Sequence, residues 1–173
     1  MQSAVHLIDR FADLCGAGLR WLIPLMAILT VAVAVMRYAL SAPTIALQES
    51  VVYLHAAVFM LGIAATLKAG AHVRVDILYS RFGERARAAV DLAGTLVFLL
   101  PVCGFIFYTS LSYVSFSWSL WETSPEPGGL PFVYLLKTFI PALAALVALQ
   151  GVAETLRNVL TLMGRAGVAE PDD

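Results

Sequence analysis

Charge is scarce in this sequence. Asp, Glu, Lys and Arg together make up 13% of its 173 residues, while apolar residues make up 60%. An ordinary globular chain is about one quarter charged and about half apolar. A chain this poor in charge cannot cover a water-facing surface with polar groups, so a soluble domain is excluded and the bilayer becomes the expected solvent. Cysteine is almost missing. Cys15 precedes the first apolar run and Cys103 lies inside the third; at such different depths no structural disulfide is expected, and the spacing offers no metal pattern. The formal net charge of −1 gives no indication of a nucleic-acid partner, and none is expected. Internal repeats, low-complexity tracts and a separate soluble domain are also missing.

What the sequence has in abundance is long apolar runs. The first is Trp21 to Met36, extendable toward Leu14 and Leu40; the second is Val51 to Leu67; the third runs from Ala88 to Leu111; the fourth runs from Phe132 to Gly151, interrupted by Lys137. A spanning helix needs about 20 residues. The reading is an all-α membrane protein, a single domain over residues 1–163 with four transmembrane helices at about 17–38, 49–68, 87–111 and 131–152, and a disordered tail at 164–173. The small residues of Ser41-Ala-Pro-Thr-Ile-Ala46 resemble a signal-cleavage region, but the apolar run before them is longer than a usual signal core, so the run is read as a span. Pro24, Pro101 and Pro141 lie within or near spans, where each removes a backbone hydrogen bond and is expected to kink its helix.

Positive charge is missing from one side. Of the eleven Lys and Arg, five (Lys68, Arg74, Arg81, Arg85 and Arg87) lie between the second and third runs. Arg10 and Arg20 precede the first run, Arg157 and Arg165 follow the fourth, and Ser112 to Pro131 holds none. Basic loops stay on the cytoplasmic side, which predicts that both termini are cytoplasmic. The opposite side keeps Arg37, with Lys137 snorkelling toward it. Trp118 and Trp121 stand among serines in the connection to the fourth run, a composition suited to the headgroup zone; a short interfacial helix is predicted there, followed by a break at Glu122-Thr-Ser124-Pro125-Glu126-Pro127-Gly128-Gly129. Pro131 suits the first turn of the fourth helix.

Ionisable residues inside spans are functional candidates because they are costly there. The spans offer His55, Asp91 and Lys137, each about one turn from a helix start, and none at mid-depth. A self-contained pump would need such a group. His55 lacks a second histidine at its depth, so it is read as a neutral side chain hydrogen-bonded between helices, and no cofactor is expected. Glu49 has two open readings, a cap on the second helix with Gln48 and Ser50, or an ion pair with Arg37. In the basic loop, His72, Arg74 and Asp76 alternate with Val73, Val75 and Ile77, a period of two that suggests an extended, two-faced segment. Asp76 also suits the cap of a helix running through Phe82. The bland alternative is a solvated loop drawn to anionic lipid. No catalytic arrangement or phosphate loop appears, and no enzyme is expected.

These residues also carry a resemblance. Arg37-Tyr38, Gln48-Glu49, Ala71-His72-Val-Arg74-Val-Asp76-Ile-Leu, Trp121-Glu122-Thr-Ser124-Pro125, Leu130-Pro131 and Ile140-Pro141, in this order among four spans, resemble the small membrane subunit (DctQ type) of tripartite ATP-independent periplasmic (TRAP) transporters. Two positions depart from the pattern: many relatives have an acid where Gln48 stands and a tryptophan where Phe132 stands. The resemblance implies a bacterial inner-membrane subunit that binds a large membrane subunit, widens its scaffold, and has no substrate site. In that family a periplasmic substrate-binding protein delivers an organic acid, which the large subunit imports with a sodium gradient. Arg37, Glu49, His72, Arg74, Asp76, Trp118, Trp121, Ser124 and Pro131 are then expected to make subunit contacts or to fix position in the lipid. A redox-enzyme anchor and a stand-alone small transporter are the rival readings.

Overall fold

The computed structural model describes residues 2–69 and 82–163. Among them there is no strand, and four helical stretches are long and apolar enough to cross a membrane. Helix α1 spans Gln2–Arg20, α2 Leu22–Tyr38, α3 Ile45–Lys68, α4 Glu84–Gly94, α5 Leu100–Ser119 and α6 Val133–Leu162. A π-helical turn, Thr95–Leu99, joins α4 to α5 without a break in the helical path.

Proline sets several of these boundaries. Pro24 cannot donate to the Arg20 carbonyl, and its ring crowds that group. The chain tightens just upstream, where the Trp21 N–H bonds the Gly18 carbonyl at 3.3 Å. One long helical path is thereby divided into α1 and α2, inside the first span expected from sequence. Pro43 ends the connection after α2, where Ser41 adopts φ 50. Pro101 would clash with the Val97 carbonyl in a regular helix; the π-helical turn covers that residue and widens the ladder there. Pro141 remains inside α6 and is buried.

Helix α6 is the spine of the fold. It holds more of the buried residues than any other helix, among them Tyr134, Ala144, Gln150 and Ala153, whereas α2 has none. α6 packs against α5 and α3, and α2 packs chiefly on α3. The four long helices therefore lie in the order α2, α3, α6, α5. At 30 residues α6 is about 45 Å long, more than the roughly 30 Å hydrocarbon core. Its overhanging C-terminal part is flanked by α1 and α4.

In lipid, helices gain little from burying apolar surface against each other, and close approach through small residues takes over. A Cβ added at Gly16 of α1 would lie 3.2 Å from the Ala65 Cβ of α3, and one at Gly151 of α6 would lie 2.5 Å from Leu99 Cδ2 in the π-helical turn. Both glycines permit the observed contact.

Three expectations change. The stretch from Tyr113 to Ser119 is no separate interfacial helix: it continues α5, because its serines turn inward to their own backbone or to neighbours, as Ser115 and Ser119 do to Ser112 and Phe116. Among the described residues no helix lies between Ser119 and Val133. Pro131 precedes α6 and stands outside its first turn, since Phe132 is the cap. His55 lies further along α3 than expected, because that helix begins at Ile45. It is exposed and stacks on Phe59, with ring centroids 6.3 Å apart, instead of bonding between helices.

Candidate functional site

The polar side chains gather at the two ends of the helix row. At one end the connection from α5 to α6 folds back over α3. Helix α5 closes with two paired bonds: Glu122 N–H to the Ser117 carbonyl at 3.1 Å, and Trp121 N–H to the Trp118 carbonyl at 3.2 Å. This is the Schellman pattern, which needs a left-handed residue just past the helix. Trp121 takes that place with φ 47. A non-glycine residue there is strained, and the indole contacts offset the strain. Trp121 lies 5.3 Å from the ring of Tyr134 and 5.9 Å from that of Trp118, and Trp118 lies 4.6 Å from Tyr134. Trp118 Nε1–H also donates to Thr138 Oγ1 at 2.9 Å.

Beyond Trp121 the chain makes a narrow loop. Ser124 N–H bonds the Leu130 carbonyl at 3.1 Å, and Gly129 N–H bonds the Glu126 carbonyl at 3.0 Å across a turn whose Gly128 has φ 80. Val133 N–H returns to the Glu122 carbonyl at 3.1 Å. Glu49, from α3, closes this loop. One carboxylate oxygen accepts the Ser124 hydroxyl, and the other accepts the Leu130 N–H at 2.6 Å. Ser124 Oγ in turn accepts the Glu126 N–H at 3.1 Å. The arrangement requires Gly129, because a Cβ there would lie 2.9 Å from Glu49 Oε1 and 2.4 Å from Ser124 Oγ.

A second carboxylate ties α5 to α6. Glu122 accepts the Ser117 hydroxyl at 2.6 Å and the Lys137 ammonium at 2.5 Å. Lys137 also sits 4.2 Å from the centre of the Tyr113 ring, a favourable place for a cation. The Lys137 hydrogen bond, followed by the Ser117 hydroxyl, holds the Glu122 carboxyl below the usual carboxylate range.

Sequence reasoning brings four of its candidates to this end: Glu49, Ser124, Trp118 and Trp121 converge. Pro131 is exposed beside them in the chain. Arg37 does not join. It is exposed in the last turn of α2, and Glu49 is held by Ser124 and Leu130 with no ion pair to Arg37. Glu49 is not a cap either, since Thr44 holds that place four residues upstream of Gln48 and the helix is already formed at Glu49. His72, Arg74 and Asp76 lie outside the described residues.

The other end was missed. Asp9 of α1 pairs with Arg157 of α6 at 2.6 Å, and Asp13 pairs with Lys68 of α3 at 2.6 Å. Arg157 also bonds Glu154 at 2.8 Å, and Gln150 reaches Asp9 at 3.4 Å. The signal was present in sequence: Leu7, Phe11 and Leu14 recur at helical spacing opposite Asp9 and Asp13, which marks an amphipathic helix. Its unusual feature is direction, for the acids face the other helices while Leu7 and Leu14 are exposed.

Among the described residues no group of His, Cys, Asp or Glu has the arrangement of a metal site. Glu49, Glu122, Asp9 and Asp13 are committed to backbone, hydroxyl or cation partners, so the geometry favours holding helices together over binding a small ligand. The family profile described as "Tripartite ATP-independent periplasmic transporters, DctQ component" matches residues 26–161. No curated protein and no solved structure matches the chain.

Two outcomes follow from this geometry. Gly129→Ala should loosen the Glu49 contacts at a cost of about 1–3 kcal/mol, read as a lower thermal midpoint in detergent and faster proteolysis of the 122–131 loop. Glu122 gives a pH signature. A carboxyl held low in the folded state contributes stability that is fully present above its unfolded pKa, about 4.3, and is lost as pH falls through the folded value. The midpoint gap between wild type and Glu122→Gln should stay level from about pH 8 to pH 5 and shrink below about pH 4.

Proposed function

Because the chain belongs to the DctQ family of tripartite ATP-independent periplasmic transporter components, we propose that this small membrane component is the fixed scaffold partner of a large transport subunit. The transporter imports an organic acid with a sodium gradient, after a periplasmic binding protein delivers it. The chain sits in the bacterial inner membrane with both termini cytoplasmic. The Glu49 end then faces the periplasm and the Asp9 end the cytoplasm.

One observation carries the scaffold role. Every described carboxylate lies toward one end or the other of the helix row: Glu49, Glu122 and Glu126 at one, and Asp9, Asp13, Glu84, Asp91 and Glu154 at the other. Sodium prefers hard oxygen ligands, so a site coupled to a sodium gradient would be expected to draw carboxylates to mid-depth. The described helices instead present largely apolar outer surfaces between two internally paired ends. That distribution suits a body that stays still while another moves past it.

The mechanism follows from anchoring. A transport domain that travels across the bilayer needs a partner that does not. Four spans add contact with lipid and raise the cost of displacing the scaffold. The clasp at Glu49 holds α3, α5 and α6 at one end, and the Asp9 and Asp13 pairs hold α1, α3 and α6 at the other. Exposed Trp121 and Phe132 anchor the outer end in the headgroup zone. The basic loop with His72, Arg74 and Asp76 serves as the cytoplasmic positioning element. Arg37, at the end of α2, keeps its role as an outer anchor.

Co-expression with a large membrane subunit, followed by purification through a tag on this chain in nanodiscs, tests the assignment. A stable complex is expected, with sodium-dependent uptake only when both subunits and the binding protein are reconstituted. Uptake by this chain alone would contradict the scaffold role.

A further inference from the structure

Three ionisable nitrogen side chains are paired between helices or across the α5–α6 connection: Lys68 with Asp13, Lys137 with Glu122, Arg157 with Asp9. Arg37 is exposed in the last turn of α2, where the helix carbonyls and the interface suit a cation. Of the others, His6 and Arg10 on α1 and Arg85 on α4 sit toward the Lys68 end of the helices, while Arg20 and His55 lie deeper. Among the described residues Arg20 has no ion pair or side-chain hydrogen bond, and His55 has only its ring contact with Phe59. Both are exposed.

They lie on one face. A groove of about 750 Å³ elsewhere has Asp91 and Glu154 at its rim, both already partnered. A second groove, of about 670 Å³, runs between α1, α2 and α3, and its lining includes Gly16, Arg20, Ile23, Phe59 and Gly62. Phe59, which stacks on His55, forms part of its wall. On α3, His55, Phe59, Gly62 and Thr66 follow helical spacing and form one stripe. Arg20 is the sole charged residue of the lining.

The depths of the two groups decide what covers them. Gly16 faces Ala65 and Leu19 faces Gly62, so Arg20 lies near Gly62, roughly 9 Å from the Lys68 end. His55 lies about 20 Å from that end and about 15 Å from the start of α3, in the middle of the span. An anionic lipid headgroup can meet Arg20, which leans toward the N-terminus of its own helix and hence toward Lys68. It cannot reach His55. A ring nitrogen left in hydrocarbon at that depth is costly. A helix laid in the groove meets both, and the glycines at positions 16 and 62 leave space for its backbone.

We propose that this α1–α2–α3 groove is the seat of a transmembrane helix of the large subunit, one that presents an acidic side chain level with Arg20 and a hydrogen-bonding side chain level with His55. The proposal rests on the scaffold reading and names the face through which it is realised. It also assigns the opposite faces of α5, including exposed Tyr108, to lipid.

The test uses the assembled transporter in nanodiscs, with a photoreactive amino acid at Phe59 or, separately, at Tyr108. Position 59 should cross-link to the large subunit and position 108 to lipid. Arg20→Gln with His55→Leu should lower recovered complex about tenfold, as two interhelical polar contacts of about 0.6–1.7 kcal/mol allow. Each single variant should lose less, and the isolated variant chain should keep its own thermal midpoint, which separates lost docking from misfolding. Cross-linking of position 59 to lipid alone, with undiminished recovery of the double variant, overturns the proposal. If wild-type chain recovers no large subunit at all, the scaffold reading fails first, and that result is distinct from a complex that forms through another face.

Discussion

The carboxylate of Glu49 is the point on which one end of the molecule depends. It reaches from α3 to two donors on a separate part of the chain, the Ser124 hydroxyl and the Leu130 N–H. Without it the loop between α5 and α6 has its internal turn bonds but no hydrogen bond to α3. With it, α3 is fixed to the segment whose other side is fixed by Glu122 and Lys137. Gly129 is the consequence: only a residue without a side chain lets the loop backbone approach both Glu49 and Ser124.

The two ends of the row solve the same problem differently. A bilayer offers no hydrophobic gain for joining helices, so polar contacts near its surfaces and close packing between them must do so. At the Glu49 end the contacts go largely to backbone and hydroxyl groups, backed by the ring cluster around Tyr134. At the Asp9 end they are ion pairs between helix faces. Between the ends the contacts come from small residues such as Gly16, Ala65 and Gly151. The result is a row of helices with α6 as its spine, and the α1–α2–α3 groove leaves one face of that row able to receive a partner.

Much of this was legible in the sequence, and the parts that were not have identifiable causes. The four apolar stretches stood out because hydropathy over about 20 residues is a strong signal. Trp118, Trp121, Ser124 and Glu49 were picked out one by one, but their convergence is a long-range contact between residues about 75 apart, which no local pattern contains. Glu49 looked like a cap or a partner of Arg37 because nearby residues were the only candidates in view. The extent of α5 was misjudged because serine and tryptophan suggested an interface, while the serines in fact satisfy themselves on the helix backbone. Helix α1 was left outside the first span, which was placed from about residue 17 by its apolar run; the direction of Asp9 and Asp13, toward Arg157 and Lys68, appears only when α6 and α3 are in place.

The central claim is that this component keeps its shape while the large subunit moves. Spin labels at the exposed positions of Ile28 on α2 and Tyr108 on α5, in a chain whose Cys15 and Cys103 are replaced by alanine, read that shape directly. Their separation should be measured by pulsed electron resonance in the assembled transporter, trapped in its inward-facing and outward-facing states. A single narrow distance, unchanged between the two states, is the predicted result. A distance that shifts or divides with the transport state would contradict the account.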